Sequence, residues 1–344
     1  MSFPRLLGLI AAILFTIIAL IALVKGCRSV VRKSYATQKI APVELSLAQE
    51  VRVIPQVVTP PPPAPKVAKA PKKSPEKVVV KKKPIEKKVA EVDRVAELFN
   101  VDGPKLPIVE TITYKSRVSW QKGRPAWLAD YARHYETSRH FIARSMHGKP
   151  DYFKQDLVEN VRFNVYRKDK DIQFYLLVDL SKSKMWLFYD DLDAKQRVLL
   201  KTYLVGLGRV DGSRVSGFLT PVGKYTLGNK VAIYKPKMMG HHGGEPVEMI
   251  TVFGTRWIPF DKEVSGCSAS AKGLGVHGLP WVHKGENKEL VQDRSSLGKY
   301  QSDGCVRMAS EDMEELFAII VTKPTTIDIV KTVQTMPQAS SPLQ

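Results

Sequence analysis

The run Gln301-Ser302-Asp303-Gly304-Cys305-Val306-Arg307-Met308 sets a cysteine after a glycine that lets backbone amides approach a substrate, and two residues before an arginine. A thiol is a weak nucleophile and a thiolate a strong one, so a catalytic cysteine needs a base or a cation close by. Gly275-Val276-His277-Gly278 supplies a candidate base on a turn of small residues. His277 can take the thiol proton or share an ion pair with it, and Arg307 adds a positive field. The amide of Cys305, joined by that of Gly304, is the candidate oxyanion hole, a contribution of roughly 3 kcal/mol per donor. A guanidinium such as that of Arg307 suits a carboxylate, which it can bind through two parallel hydrogen bonds.

These residues resemble the L,D-transpeptidase catalytic domain, the YkuD-like family. Its signature is His-Gly, followed at a distance by Ser, then His or another residue, then Gly-Cys, a hydrophobic residue and Arg or Asn. Tyr175 to Tyr189, Val205-Gly206 and Thr220-Pro221-Val222-Gly223-Lys224-Tyr225 are similar to that family's opening hairpin and its Thr-Pro-x-Gly-x-aromatic element. The resemblance covers residues 160–333. It implies a mainly β, β-sandwich-like domain with one or two short helices. It also implies Cys305 as nucleophile, His277 as base, the backbone carbonyl of Gly278 as third member of the triad, and Ser302, Gly304 and Arg307 around the substrate.

The implied substrate is a peptidoglycan stem peptide. Cys305 would attack the bond between the third residue and D-alanine of a tetrapeptide stem and leave a thioester. The amine of a second stem, or a protein amine, would then take the acyl group, with no metal or organic cofactor. Two other functions remain open. Water as acceptor would give an L,D-carboxypeptidase or hydrolase, and a decayed site would leave a non-enzymatic wall-binding adaptor of the TonB kind. Asp303 departs from the family pattern, standing where many members have a second histidine. Pointing inward, its carboxylate would oppose thiolate formation.

The elements that must position these residues follow from patterning. Val161 to Tyr166, Ile172 to Leu180, Met185 to Tyr189, Val198 to Leu204, Gly223 to Leu227, Met249 to Phe253, Gly273 to His277 and Thr325 to Lys331 read as strands. Ser310 can cap a helix over Glu311 to Val321, with acids in its first turn. Residues 95–159 read as a small helical module, with one helix from Pro125 toward Met146 ended by Gly148-Lys149-Pro150. His134, His140 and His147 on that helix lack the i, i+4 spacing of a metal pair and read as packing or surface residues. His241-His242-Gly243-Gly244 reads as a loop. The polar stretch Lys284 to Arg294 reads as a lid or substrate-side loop, or as a solvated excursion. Cys267 reads as a free structural thiol, since three cysteines make no disulfide framework.

Residues 1–5 form a short tail, and 6–24 are an uncharged apolar run of 19 residues, about 28 Å as a helix at about 1.5 Å per residue. That length favours an uncleaved signal anchor in the inner membrane, with lipidation at Cys27 as the alternative. Residues 25–94 are a disordered linker, rich in proline and lysine, and 334–344 a disordered tail. The net charge of +19 has a local source, because ten lysines fall within residues 60–90. Proline interrupts the same stretch, so it reads as an extended stalk rather than a nucleic-acid surface. The wall substrate requires everything after Lys25 to lie in the periplasm. Lys25, Arg28, Arg32 and Lys33 oppose that orientation by the positive-inside rule. A reporter active only outside the cytoplasm, fused after Ala96, is therefore expected to be active; a cytoplasmic reporter active at that position instead would reverse the topology.

Overall fold

The computed structural model describes residues 92–150, 152, 157–285, 289–335 and 337–343. The apolar run 6–24 and the Pro/Lys linker up to residue 91 lie outside them. Among the described residues no helix is long and apolar enough to cross a membrane.

The chain enters through helix α1 (Ala96–Phe99), strand β1 (Val109–Thr113), α2 (Leu128–His134) and α3 (Arg139–His147), then β2 (Arg162–Tyr166). The region 95–159 is thus not purely helical: β1 pairs antiparallel with β2 along its whole length, Val109 opposite Tyr166 and Thr113 opposite Arg162. The single helix expected from Pro125 is two. Tyr135 closes α2, Glu136 takes φ 46°, and Ser138 opens α3 by accepting a hydrogen bond from the Phe141 amide at 2.9 Å. A Thr-Ser pair competes with a helical backbone and favours such a cap. Gly148, at φ 71°, ends α3 where expected. His134 stacks on Trp120 and His140 packs edge-on against Phe317, so both are packing residues.

A hairpin follows, β3 (Ile172–Asp179) and β4 (Lys184–Asp191), extended by β5 (Gln196–Leu204). Alternation on β3 sends Ile172, Phe174, Leu176 and Val178 into the main core, while Tyr175 and Leu177 pack on a second cluster with Trp186, Phe188 and Leu199. Then come β6 (Leu207–Gly208), β7 (Gly223–Leu227), β8 (Ala232–Ile233), β9 (Met239–His242), β10 (Glu245–Glu248), helix α4 (Ile250–Phe253) and β11 (Arg256–Ser265). The chain closes with β12 (Gly275–Gly278), β13 (Trp281–Lys284), β14 (Glu289–Gln292), β15 (Tyr300–Ser302), β16 (Val306–Met308), helix α5 (Ser310–Ile320), β17 (Thr325–Val330) and β18 (Ser340–Pro342). Among the described residues one sheet of ten strands runs β16-β12-β11-β7-β17-β3-β4-β5-β18, with β8 beside β11.

Strand β11 turns the sheet. Its first half pairs with β12 and β8, its second half with β7, and the register shifts between Phe260 and Ser265. Residues from both parts of the sheet share one core: Phe174, Leu176 and Ile327 with Ile258, Val276 and Val306. Helix α5 fills it with Met313, Leu316, Phe317 and Ile320, the spacing of a one-sided helix.

Five expectations are corrected. Met249 to Phe253, apolar and β-branched enough to read as a strand, is a helical turn ended by Gly254 at φ 62°. A Cβ at Gly254 would lie 2.6 Å from backbone atoms of Gly278 and Leu279, so only glycine lets the turn pass so close to β12. The loop at His241-His242 is part of the β9–β10 hairpin. The polar excursion before Arg294 is the β13–β14 hairpin, and it caps α5: the Ser310 amide donates to Gln292 at 2.6 Å and the Trp281 indole to the Ser310 hydroxyl at 3.2 Å. Ser310 is therefore the first helical residue rather than a side-chain cap. The C-terminal tail carries β18, paired with the β5 edge.

Ser138 also joins the entry segment to the sheet domain, its hydroxyl donating to the Ala318 carbonyl at 2.7 Å in a buried contact. Ser138→Ala removes a cap and leaves that carbonyl without its donor, so a loss of about 1–3 kcal/mol is expected in urea unfolding. A loss below about 0.3 kcal/mol would show that the contact does not couple the two parts.

Candidate active site

Parallel pairing of β12 with β16 sets Val276 opposite Val306, His277 opposite Arg307 and Gly278 opposite Met308. Val276 and Val306 both enter the core, so the alternate residues His277 and Arg307 share the opposite face. Cys305, two residues before Arg307, belongs to that face too. All three line a cleft of about 330 Å3, together with His242, Val252, Phe253, Trp257, Gly273, Ser302 and Asp303.

His277 is 3% exposed. Its Nδ1 lies 2.7 Å from the Gly278 carbonyl. A carbonyl can only accept, so Nδ1 carries the proton and Nε2 holds the lone pair. Phe253 packs edge-on against the ring at 5.3 Å, and Trp257 lies tilted over it at 5.7 Å. Burial pushes the imidazole down to about 4, the positive charge of Arg307 pushes the same way, and the carbonyls of Gly278 and Phe253 oppose. His277 is therefore a neutral base with one tautomer selected.

Cys305 is partly exposed and unpaired, its Sγ 3.8 Å from the Gly273 carbonyl. Burial pushes the thiol up to about 11; a backbone contact at Gly275 and the Arg307 charge pull down, and Asp303 pushes up. The expectation of a thiolate sustained by Arg307 is thus reversed in the free protein. Thiol and imidazole are both neutral between about pH 4 and about pH 11.

The loop around the thiol is held from within. Ser302 is 1% exposed; its hydroxyl donates to the Cys305 carbonyl at 2.7 Å and accepts from the Gly304 amide at 3.2 Å. Both functions of that hydroxyl are engaged in the loop, so Ser302 shapes the loop rather than offering a free group to a substrate. The Gly304 amide is engaged as well, which leaves the Cys305 amide as the oxyanion candidate. Gly304 takes φ 123°, a region open to glycine, and a Cβ there would lie 3.0 Å from Leu219 and Leu274. Asp303 turns to the rim, its side chain 78% exposed and paired with Arg209 at 2.5 Å. Arg307 exchanges backbone hydrogen bonds with Gly206 at 2.8 Å in both directions, and its buried Nε has no hydrogen-bond partner among the described residues. That donor is available to an acceptor in the cleft.

Cys267 lies apart from this set, its thiol donating to the Lys224 carbonyl at 3.1 Å. Among the described residues no cluster of three or more His, Cys, Asp or Glu could hold a metal ion. Sequence reasoning missed His242, Phe253 and Trp257, which reach the cleft from β9, α4 and β11. The stretch Arg256–Ser265, between the expected strands Met249 to Phe253 and Gly273 to His277, is not itself among the expected strands, so nothing in the sequence placed Trp257 beside His277.

Residues 173–329 match the YkuD family, described as the L,D-transpeptidase catalytic domain. The match spans the hairpin that opens at β3, both halves of the Cys305 and His277 cleft, and β17. YqjB of Bacillus subtilis (strain 168), whose name marks it as a provisional L,D-transpeptidase, is 29% identical over 118 residues, 34% of this chain and 53% of that protein. Among solved structures, Bdellovibrio bacteriovorus Bd1075 is 18% identical, with 47% of this chain and 49% of that chain covered and a TM-score of 0.32. The helical cell shape determining protein Pgp2 from Campylobacter jejuni is 13% identical, with 49% and 51% covered and a TM-score of 0.31. The chain spans about half the length of each of these relatives. The family match and YqjB support an L,D-transpeptidase-type catalytic domain over this stretch.

Alkylation of Cys305 by iodoacetamide should follow the raised thiol. The neutral form persists below its folded value and is lost as pH rises through it, so the rate should be slow at pH 7 and still climbing at pH 10. A plateau reached by pH 6 would reveal a preformed thiolate–imidazolium pair and contradict the neutral resting state.

Proposed function

We propose that this protein is a cysteine-dependent L,D-transpeptidase that acts on peptidoglycan stem peptides. The observation that carries the reading is a neutral imidazole, its Nδ1 committed to the Gly278 carbonyl, in one cleft with a cysteine and a guanidinium that has an unpartnered Nε. In this reading the Cys305 sulfur attacks the carbonyl carbon before D-alanine while its proton passes to Nε2 of His277. Sulfur and imidazole are poorly disposed to ionise separately, so proton transfer accompanies bond formation. The Cys305 amide faces the developing oxyanion. As the C–N bond breaks, His277 returns the proton to the leaving amine and a thioester remains. Arg307 holds a carboxylate of the stem.

The acyl group then passes to the amine of a second stem, giving a 3-3 crosslink, or to a protein amine. Water as acceptor would give the carboxypeptidase from the same thioester, and the outcome depends on how the cleft orients an amine and excludes water. Residues 6–24 serve as the inner-membrane anchor, the Pro/Lys linker gives reach, and the catalytic domain works in the periplasm.

Sacculi incubated with the protein are expected to yield new 3-3 crosslinked dimers in muropeptide profiles. Cys305→Ala should abolish them, His277→Ala should slow thioester formation by ~100 to 10,000-fold, and Cys267→Ala should retain most activity. Tripeptides without dimers would replace the transferase by a hydrolase. An unchanged profile, or activity in Cys305→Ala, would sink the proposal.

A further inference from the structure

The cleft holds a second imidazole. His242 ends β9 beside the Gly243-Gly244 turn, where both glycines have positive φ, and it lines the same cavity as Cys305, His277 and Arg307. The Phe253 ring meets His242 edge-on at 5.3 Å and His277 edge-on at 5.3 Å, so one aromatic ring packs against both imidazoles. Their surroundings differ sharply. His277 is buried with its tautomer selected, whereas His242 is exposed and can exchange protons with solvent. Glu245 lies opposite His242 across the hairpin, Asp303 and Arg307 line the same cleft, and His277 lies beyond Phe253.

Two bases of unlike environment answer a requirement of the transfer step. An acceptor amine arrives at neutral pH as an ammonium and must lose one proton before it can attack. A second proton leaves nitrogen when the amide forms. His277 returns to the neutral state after acylation and can accept only one of them.

Resting on the acyl-transfer reading above, we propose that His242 is the base that deprotonates the incoming acceptor ammonium, and so favours amines as acceptors. The ammonium gives one proton to His242, which passes it to solvent. The amine nitrogen bonds to the thioester carbonyl carbon and the C–S bond breaks. The second proton travels through His277 to the departing Cys305 sulfur. The products are an amide, the free thiol and one released proton.

The test is a single-turnover comparison of wild type with His242→Gln and His242→Ala in the full chain, using a tetrapeptide stem as donor. Thioester formation is followed by intact mass, and transfer is measured at pH 7 to a stem-peptide amine and to hydroxylamine, which is uncharged at that pH. The expected result is thioester formation within about twofold of wild type, transfer to the stem amine reduced ~100-fold, and transfer to hydroxylamine little changed. Imidazole added to His242→Ala should restore part of the loss. Equal losses with both acceptors, or none with either, would overturn the assignment. A wild-type protein that forms no thioester would fail at the earlier reading instead, and the mass measurement separates the two cases.

Discussion

The parallel pairing of β12 with β16 governs everything in the cleft. It sets His277 opposite Arg307, sends their neighbours Val276 and Val306 into the core, and leaves Cys305 at the start of the strand on the cleft side. A slip of one residue would exchange these faces and bury the chemistry in the core. Supporting contacts resist that slip. The Gly206 and Arg307 backbones pair in both directions, and the Leu279 amide reaches the Met308 carbonyl at 2.8 Å. Gly206 could not bear a side chain there, because its Cβ would meet the Ser296 carbonyl at 2.6 Å.

Burial then determines the electrostatics. Removing His277 and Cys305 from water disfavours the charged form of each, so one falls and the other rises, and the attraction of Arg307 for a thiolate is the smaller effect. Such a site stores no reactive thiolate at rest. In the proposed acyl transfer, proton and sulfur would move together as the substrate carbonyl is attacked. Asp303 turns outward to Arg209, where an exposed ion pair is worth about 0–1 kcal/mol and perturbs the thiol only modestly.

Much of this was legible in the sequence because its signals are local. The loop around Cys305 and the His277 strand are contiguous motifs, and the alternation of β3, β5, β7 and β17 falls close to its expected bounds. What could not be read depends on tertiary context. The β-branched stretch before Gly254 is a helical turn, and it ends where Gly254 passes β12 at backbone distance. The start of α5 is capped by the Gln292 side chain of β14, which accepts from the Ser310 amide, rather than by its own serine. The break between α2 and α3 was written locally, in Thr137-Ser138, but an apolar face running through it masked the cap. His242 was hidden for another reason. Its place in the cleft depends on which side of a hairpin faces inward, and a glycine-rich sequence leaves that open. The apolar run 6–24 and the Pro/Lys linker lie outside the described residues, so the reading of an anchor and stalk rests on sequence alone.

The cleft turns on His277 as a neutral imidazole whose Nδ1 proton is held by the Gly278 carbonyl. Long-range 1H–15N correlation spectra of protein labelled with 15N-histidine, assigned by comparison with His277→Gln, read that state directly. The expected result is the Nδ1–H tautomer at pH 7, with no protonation until the pH falls toward about 4. An Nε2–H tautomer, or an imidazolium at pH 7, would contradict it.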